Sequence, residues 1–411
     1  MAANCRAVVP RRRDKFGVVM INVHRLARHI RLPAALVVAA GMVAAGSSAA
    51  SAAQCVSWAG IPPANPSSSD NTFGAVAVRS PCDAWAVGSD RGSGGSFHTL
   101  IEHWNGTRWT VMLSSNPGGF NRDSFLAGVA AASSGHAWAV GYYDDGTAGQ
   151  TLIEAPNNGL WKQVPSANPG GPNQPNVLLA AAATSARNAW AVGYYSKGIG
   201  FATLIEHWNG TTWRQVPSPN PSTVNNELLG IAAPSAKDAW AVGQYADSSN
   251  KFQTLILHWN GSVWKRVRSP NPAGSGSSHS LTAVAVASST NAWAVGQFDP
   301  GSGFRPLIEH WNGRAWKSVP APSPGPASVA VLSGVTALSA RGAWAVGAYT
   351  SLNTNHTLIE HWNGTRWSLA PSPSLGISAT LTSVSSSGNT VWAAGYYENG
   401  GPDLTLAAHC C

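Results

Sequence analysis

A carboxylate and an imidazole stand side by side four times in this chain, as Glu102-His103, Glu206-His207, Glu309-His310 and Glu360-His361, with His258 at a fifth related place. Adjacent Glu and His could ligate a metal or act as an acid–base pair, since both groups bind protons or cations near neutral pH. Such a site needs ligands that converge on one point. Here His207, His258, His310 and His361 follow one another at intervals of 51 or 52 residues. A residue repeated once per structural unit is spread over a distance far larger than a coordination sphere. A hydrogen bond within or between units is its expected role. No metal ligand set and no cofactor are expected. There is no calcium loop of alternating Asp, no GxSxG and no phosphate loop. Asn105-Gly-Thr, Asn209-Gly-Thr, Asn260-Gly-Ser and Asn363-Gly-Thr have the form of glycosylation sequons, but Asn-Gly between two apolar runs is first of all a hairpin turn.

The period belongs to the scaffold. Trp85, Trp138, Trp190, Trp240, Trp293, Trp344 and Trp392 are separated by 53, 52, 50, 53, 51 and 48 residues, six of them in the string AWAVG and the last in VWAAG. Each unit reads as four short strands, here A to D. A small apolar run is followed by a polar turn, AWAVG, a variable Gly- and Ser-rich segment, TLIEHW, Asn-Gly, and a strand opened by Trp that ends in a Pro-rich stretch. Four strands per unit and seven units describe an all-β, seven-bladed propeller. All 19 tryptophans fall on three repeat positions. In AWAVG the Trp and Val point to one face and the two Ala to the other, so the bulky face of one blade can fill the shallow face of the next.

The seventh unit stops at Cys411 without a strand D, and an orphan strand D opens the mature chain around Trp58. Trp58 precedes Asn65 by seven residues, as Trp109 precedes Asn116 and Trp161 precedes Asn168. The last blade is therefore expected to be built from both ends of the chain, which removes a free sheet edge. Cys410 and Cys411 align with the Trp and Asn of His-Trp-Asn-Gly, and Cys55 with its Gly. A disulfide between Cys55 and Cys411 or Cys410 is expected at this seam, with Cys82 pairing with the remaining one. Four cysteines allow three connectivities, and these stay open.

Residues 1–53 differ in composition. Eight Lys and Arg precede an apolar, small-residue stretch (32–46) and SSAASAA, with Ser51 and Ala53 suited to cleavage. This reads as a secretory signal peptide, with translation starting at Met1 or Met20. Retention as a membrane anchor is the alternative. The leader holds a net +7 of the chain's +8, so the mature chain is near neutral. Nucleic acid and, after cleavage, membrane are accordingly not expected as partners. Residues 54–411 suit one propeller domain, expected to be a secreted monomer.

LIEHWNGTRWSLAP at residues 358–371 resembles the kelch repeat, in which a strand ends in a turn and a Trp opens the outer strand. AWAVG stands where kelch repeats carry a glycine pair. The same hairpin is similar to the Asp-box turn of sialidase-type and photosystem-assembly-factor-like propellers, without the Ser and Asp of that box. The resemblance implies a kelch-like propeller over nearly the whole mature chain and leaves activity open, because propellers host hydrolases, lectins, oxidases and scaffolds. A sialidase-like hydrolase would need an arginine cluster, and arginines such as Arg79, Arg91, Arg108 and Arg122 are scattered. A galactose-oxidase-like copper site would need a Tyr–Cys pair, while the cysteines are assigned to the seam.

A–B and C–D turns are nearly constant among blades, whereas B–C and D–A connections vary. Alternating strand direction puts both variable sets on one face, where binding groups usually sit. Candidate ligand-face residues are the carboxylates Asp144, Asp145, Asp247, Asp299 and Glu398, the basic groups Arg91, Arg122, Lys197, Arg305 and His356, and Tyr143 and Tyr349. The expected function is non-catalytic binding of an extracellular protein or glycan through this face. A carbohydrate-active hydrolase or lyase at the mouth of the central channel is the alternative, and an envelope structural protein a third reading.

Overall fold

The computed structural model describes residues 58–133, 136–274, 276–325, 329–373 and 375–410. The expected leader (1–53), Cys55 and Cys411 lie outside the described residues. Twenty-eight strands form seven four-stranded antiparallel sheets, and among the described residues there is no helix. Blade three shows the build, with A at Asn176–Ser185, B at Asn188–Lys197, C at Gly200–Trp208 and D at Trp213–Gln215, hydrogen-bonded in that order. Each innermost strand A touches that of the next blade, and blade seven touches blade one. The ring of seven expected from the tryptophan spacing is what forms.

Packing between blades follows the alternation within AWAVG. Trp190 and Val192 of blade three lie against Ala239 and Ala241 of blade four in one buried cluster. Trp190 also meets two tryptophans of blade four, Trp259 with ring centroids 5.1 Å apart and Trp264, edge-on, at 5.4 Å. Trp392 repeats the arrangement across the closure, 5.0 Å from Trp104 and 5.1 Å from Trp109. Such edge-to-face contacts add to the area buried. The Asn-Gly pairs turn the C–D hairpins. Asn209 Oδ1 accepts the N–H groups of Thr211 and Thr212 at 3.0 Å, and Gly210 takes the φ of 100° that a side chain disfavours.

Blade seven closes as expected. Its strands A, B and C are Ser378–Ser387, Thr390–Glu398 and Asp403–Cys410, and the outermost strand is Ala59–Gly60, with Ala59 opposite His409 and Gly60 opposite Ala408. The seven-residue spacing from Trp to Asn has a physical reason. Asn116 Oδ1 accepts the backbone N–H of Thr99 at 2.7 Å, tying the stretch after strand D to strand C of the same blade. Asn168 and Asn220 do the same for Thr151 and Thr203. At the closure Asn65 accepts from the Thr405 N–H at 2.8 Å and from its hydroxyl at 3.0 Å, across 340 residues of sequence. Asn65→Ala leaves the Thr405 N–H without its acceptor, while the hydroxyl keeps the Ala64 carbonyl at 3.2 Å, and is expected to cost about 1–2 kcal/mol. The check is the urea midpoint, together with faster hydrogen exchange at the Thr405 amide than at the Thr203 amide.

One expectation at the seam is corrected. Cys82 is an exposed free thiol. It occupies the A–B turn of blade one and packs over the turn glycine of its own blade, where a Cβ on Gly106 would lie 3.1 Å from Cys82 Sγ. Arg187, Lys237, Thr290 and Arg341 hold the same place over Gly210, Gly261, Gly313 and Gly364. Cys82 is thus a member of a repeat position that faces its own hairpin and not the neighbouring blade. Cys410 is fully buried opposite Val391, in the position taken by Trp208 in blade three, and is disulfide-bonded.

Candidate functional site

The repeated Glu and His are structural in two different ways. Each imidazole stacks on the strand-B tryptophan of its own blade, His103 on Trp85 and His207 on Trp190 with centroids 4.1 Å apart. The Nε2 of His103, His207, His258 and His310 reaches the residue that opens strand B, Asn188 for His207 at 2.7 Å and Asp238 for His258 at 2.8 Å, whereas Gly342 stands at that place in the blade of His361. Burial holds His207, His310 and His361 below the usual imidazole range. Among the described residues no three His, Cys, Asp or Glu side chains come together as a metal site.

The glutamates bridge blades. Glu102 Oε2 accepts the N–H of Ala64 at 3.0 Å, Glu154 that of Ser115 at 3.3 Å, and Glu206 that of Ala167 at 3.0 Å. Each donor lies six residues after the Trp that opens strand D of the preceding blade. At the next three places in the ring that residue is Pro219, Pro270 and Pro322, which have no N–H. Blade four answers Pro219 with Leu257 in place of Glu. Glu309 turns to the Ser269 hydroxyl, at 2.8 and 2.9 Å. Glu360 faces Ala321 and Pro322 in the equivalent places, and neither of its oxygens has a partner. All five carboxyl groups are buried, and burial pushes them up, to about 7 for Glu102 and Glu206 and about 8 for Glu154, Glu309 and Glu360.

Among the described residues the central channel, about 480 Å3, is lined by uncharged groups of the seven A strands, such as Ala180, Ile231, Thr282 and Ser383. The strongest break in the repeat near it is Glu227, at a position held by Thr72, Phe125, Val177, Ser280, Val331 and Thr380 in the other blades. Glu227 is buried, accepts the Gln244 amide at 2.9 Å, and is raised by burial. Burial and the Glu227 charge together raise the neighbouring Tyr194 phenol. Sequence reasoning passed over Glu227, although comparison of the blades shows it as the one charged residue at that position.

The loop residues singled out from sequence mostly serve their own turns. Asp145 Oδ1 accepts the Thr147 hydroxyl at 2.6 Å and the N–H groups of Ala148 and Thr147 at 3.0 and 2.8 Å, and these bonds, the hydroxyl's first, hold its carboxyl below the usual range. Asp144 accepts from Gly146, Asp247 from Ser249 and Lys251, and Asp299 from Gly301. Arg122 donates to the Asp145 carbonyl at 2.7 Å and lies against Gly146. Arg91 donates to the Gly95 carbonyl and reaches Asp70. Tyr349 packs on His356 at 5.1 Å within one hairpin, and Tyr143 is half-buried between blades one and two. Lys197 and Glu398 are exposed, and Arg305 is half-buried at the start of its strand C. Arg122 meets Asp145 and Tyr349 meets His356, each contact within neighbouring loops and not across the face.

The face also exposes apolar side chains among these charged groups. Ile199 at the B–C turn of blade three is 96 % exposed, and Leu352 at that of blade six is 89 % exposed. Phe120 and Ile377, in D–A loops, are each 61 % exposed. Leu352 and Asn353 also take φ of 50° and 62°, a strained backbone for leucine. Val224, partly exposed, lies beside the Ile199 turn, where its carbonyl accepts the Phe201 N–H at 2.8 Å.

No family model matches the chain, and no curated protein matches it. Solved structures do. YCF48 bound to D1 peptide aligns with a TM-score of 0.53 at 12% identity, covering 86% of this chain and 96% of that one. Trypanosoma rangeli sialidase in complex with sialic acid gives 0.44 at 11% identity, over 86% of this chain and 57% of that one. A Hadza microbial sialidase gives 0.45 at 13% identity, over 68% and 64%. The likeness to YCF48 shows the shared propeller fold.

Proposed function

We propose that this chain is a secreted, non-catalytic binding propeller that grips a segment of an extracellular protein with its B–C and D–A loop face. The observation that carries the reading is the set of apolar side chains held out on that face, above all Ile199 and Leu352 at the tips of two-strand turns. Burying such a side chain against a partner is worth about 1.5–3 kcal/mol. The loop carboxylates, already used as turn caps, favour a rigid platform over an acid–base pair. That YCF48, a protein of the same fold, has been seen with a bound peptide supports the class of ligand. The leader directs the chain out of the cell, the propeller works as a monomer, and the bond at Cys410 ties the C-terminal strand to a second cysteine in an oxidising compartment.

The test is affinity for displayed peptides. Ligands selected against the protein are expected to lose at least tenfold in Kd with Ile199→Asp plus Leu352→Asp, at unchanged thermal stability. Equal binding by the double variant sinks the proposal. So does turnover of a glycan that stops with Glu227→Gln, which would make the chain a carbohydrate-active enzyme.

A further inference from the structure

The near-neutral net charge of the mature chain hides a separation of signs. Strands alternate in direction, so every A–B and C–D turn lies on the face opposite the variable loops. The A–B turns carry Arg187, Lys237 and Arg341, and Arg79 stands at the end of strand A just before the turn of blade one. The C–D turns carry Arg108, Arg314 and Arg366. The first residues after the strand-D tryptophan add Lys162, Arg214, Lys265 and Lys317. Among the described residues these eleven cations face two acidic groups at the same level, Asp83 and Asp238, and both already have partners. Asp83 is bonded to Arg79 and His103, and Asp238 to His258. Among the described residues none of the other ten cations is ion-paired, and all ten are exposed.

Geometry narrows the partner. The cations sit at turn ends in six of the seven blades, at one level on one face of a disc. Like charges in a flat ring repel one another, which costs stability unless something anionic meets them. A linear polyanion would touch one arc of such a ring, whereas a planar anionic surface meets all of it together. Blade seven, which lacks a cation here, is where the polypeptide enters at Trp58, at the turn-face end of the outermost strand. We propose that the turn face docks flat on a bilayer surface rich in anionic phospholipid, leaving the apolar loop tips of the other face turned outward to a partner. Juxtaposed cations and anionic headgroups attract over about a Debye length, so the contact is additive in charge and sensitive to salt.

Cys82, exposed in the A–B turn of blade one, is a built-in reporter of this face. The full chain is mixed with vesicles of phosphatidylcholine containing phosphatidylglycerol, and alkylation of Cys82 by a membrane-impermeant maleimide is followed by mass spectrometry. Its rate is expected to fall at least fivefold at low ionic strength and to recover in 0.5 M salt. Arg187→Gln, Lys237→Gln and Arg341→Gln combined should abolish the protection, while a thiol introduced by Lys197→Cys on the loop face stays reactive. Because the readout is at Cys82, a retained leader that merely tethers the chain does not mimic the result. Protection by pure phosphatidylcholine, protection of position 197 instead, or an unchanged Cys82 rate overturns the proposal. Protection by duplex oligonucleotide but not by vesicles overturns it equally and assigns the face to nucleic acid.

Discussion

Alanine at Gly193 is expected to cost at least about 3 kcal/mol, at the upper end of what overpacking does, or to prevent folding outright. Gly193 is the last residue of AWAVG in blade three, and a Cβ there would lie 2.0 Å from the Val177 carbonyl oxygen of strand A. The same approach recurs at Gly88, Gly141, Gly243, Gly296, Gly347 and Gly395, each with a carbonyl oxygen within 2.0 Å of the ideal Cβ. Strand A shifts register at this level, between Leu178 and Ala180, so the bulged backbone is pressed onto strand B where only a hydrogen fits. The clashing atoms are main-chain atoms of two paired strands and have no rotamer to escape into. Gly198, in the B–C turn of the same blade, is the control. Its φ is +70° and nothing lies within 4 Å of an added Cβ, so alanine there is expected to cost only about 1 kcal/mol. Urea unfolding of the two variants should separate them clearly. A Gly193→Ala protein within 1 kcal/mol of the parent would show that the bulge can relax, and this account of AWAVG would fail.

That glycine marks the border of what could be read from sequence. Period, strand alternation and the orphan Trp58 were enough for seven blades, interlocking tryptophans and a last blade built from both termini, because each depends on local pattern alone. The invariance of Gly193 and its six equivalents depends on the backbone of a second strand, which a one-dimensional pattern does not contain. Cys82 was misassigned for a related reason. Its place in the A–B turn was correct, but the direction of that position, over Gly106 of its own hairpin, is set by three-dimensional packing. The loop carboxylates were legible as loop residues, while their use as turn caps was not. Net charge misled most. Residues 54–411 together carry a net charge near zero, yet the fold sorts Arg187, Lys237 and Arg341 to one face and Asp144, Asp247 and Asp299 to the other. The pairing of Glu102, Glu154 and Glu206 with N–H donors, and the appearance of Leu257 and Glu360 opposite prolines, was present in the sequence all along. It becomes visible only once strand C of one blade is known to face the stretch after strand D of its neighbour.

Glu360 turns that correlation into a measurement. It is fully buried, burial raises its carboxyl to about 8, and no donor reaches either oxygen. Blade four meets the same problem, a proline where the donor would be, with Leu257, which is also fully buried. Leucine at this level therefore fits the interblade space. Glu360→Leu is expected to stabilise the protein, and by an amount that grows with pH. Below pH about 4.5 the carboxyl is protonated in folded and unfolded chains alike, and ionisation contributes nothing. As pH rises from there the unfolded chain releases its proton while the folded chain keeps it. The folded parent thus binds more protons and loses stability until pH passes about 8. The leucine variant has no proton to hold and escapes this loss. Its advantage over the parent should increase by on the order of 3 kcal/mol between pH 4.5 and pH 8, given 1.4 kcal/mol per pKa unit and partial relaxation of the site. Glu102→Leu is the counter-case. There the Ala64 N–H at the closure would lose its acceptor, so the gain at pH 8 should be smaller by about 1–2 kcal/mol. Urea unfolding of parent and both variants at the two pH values decides it. A Glu360→Leu advantage that does not change with pH would mean that the carboxylate is already ionised in the folded blade, and the girdle of neutral glutamates would have to be given up.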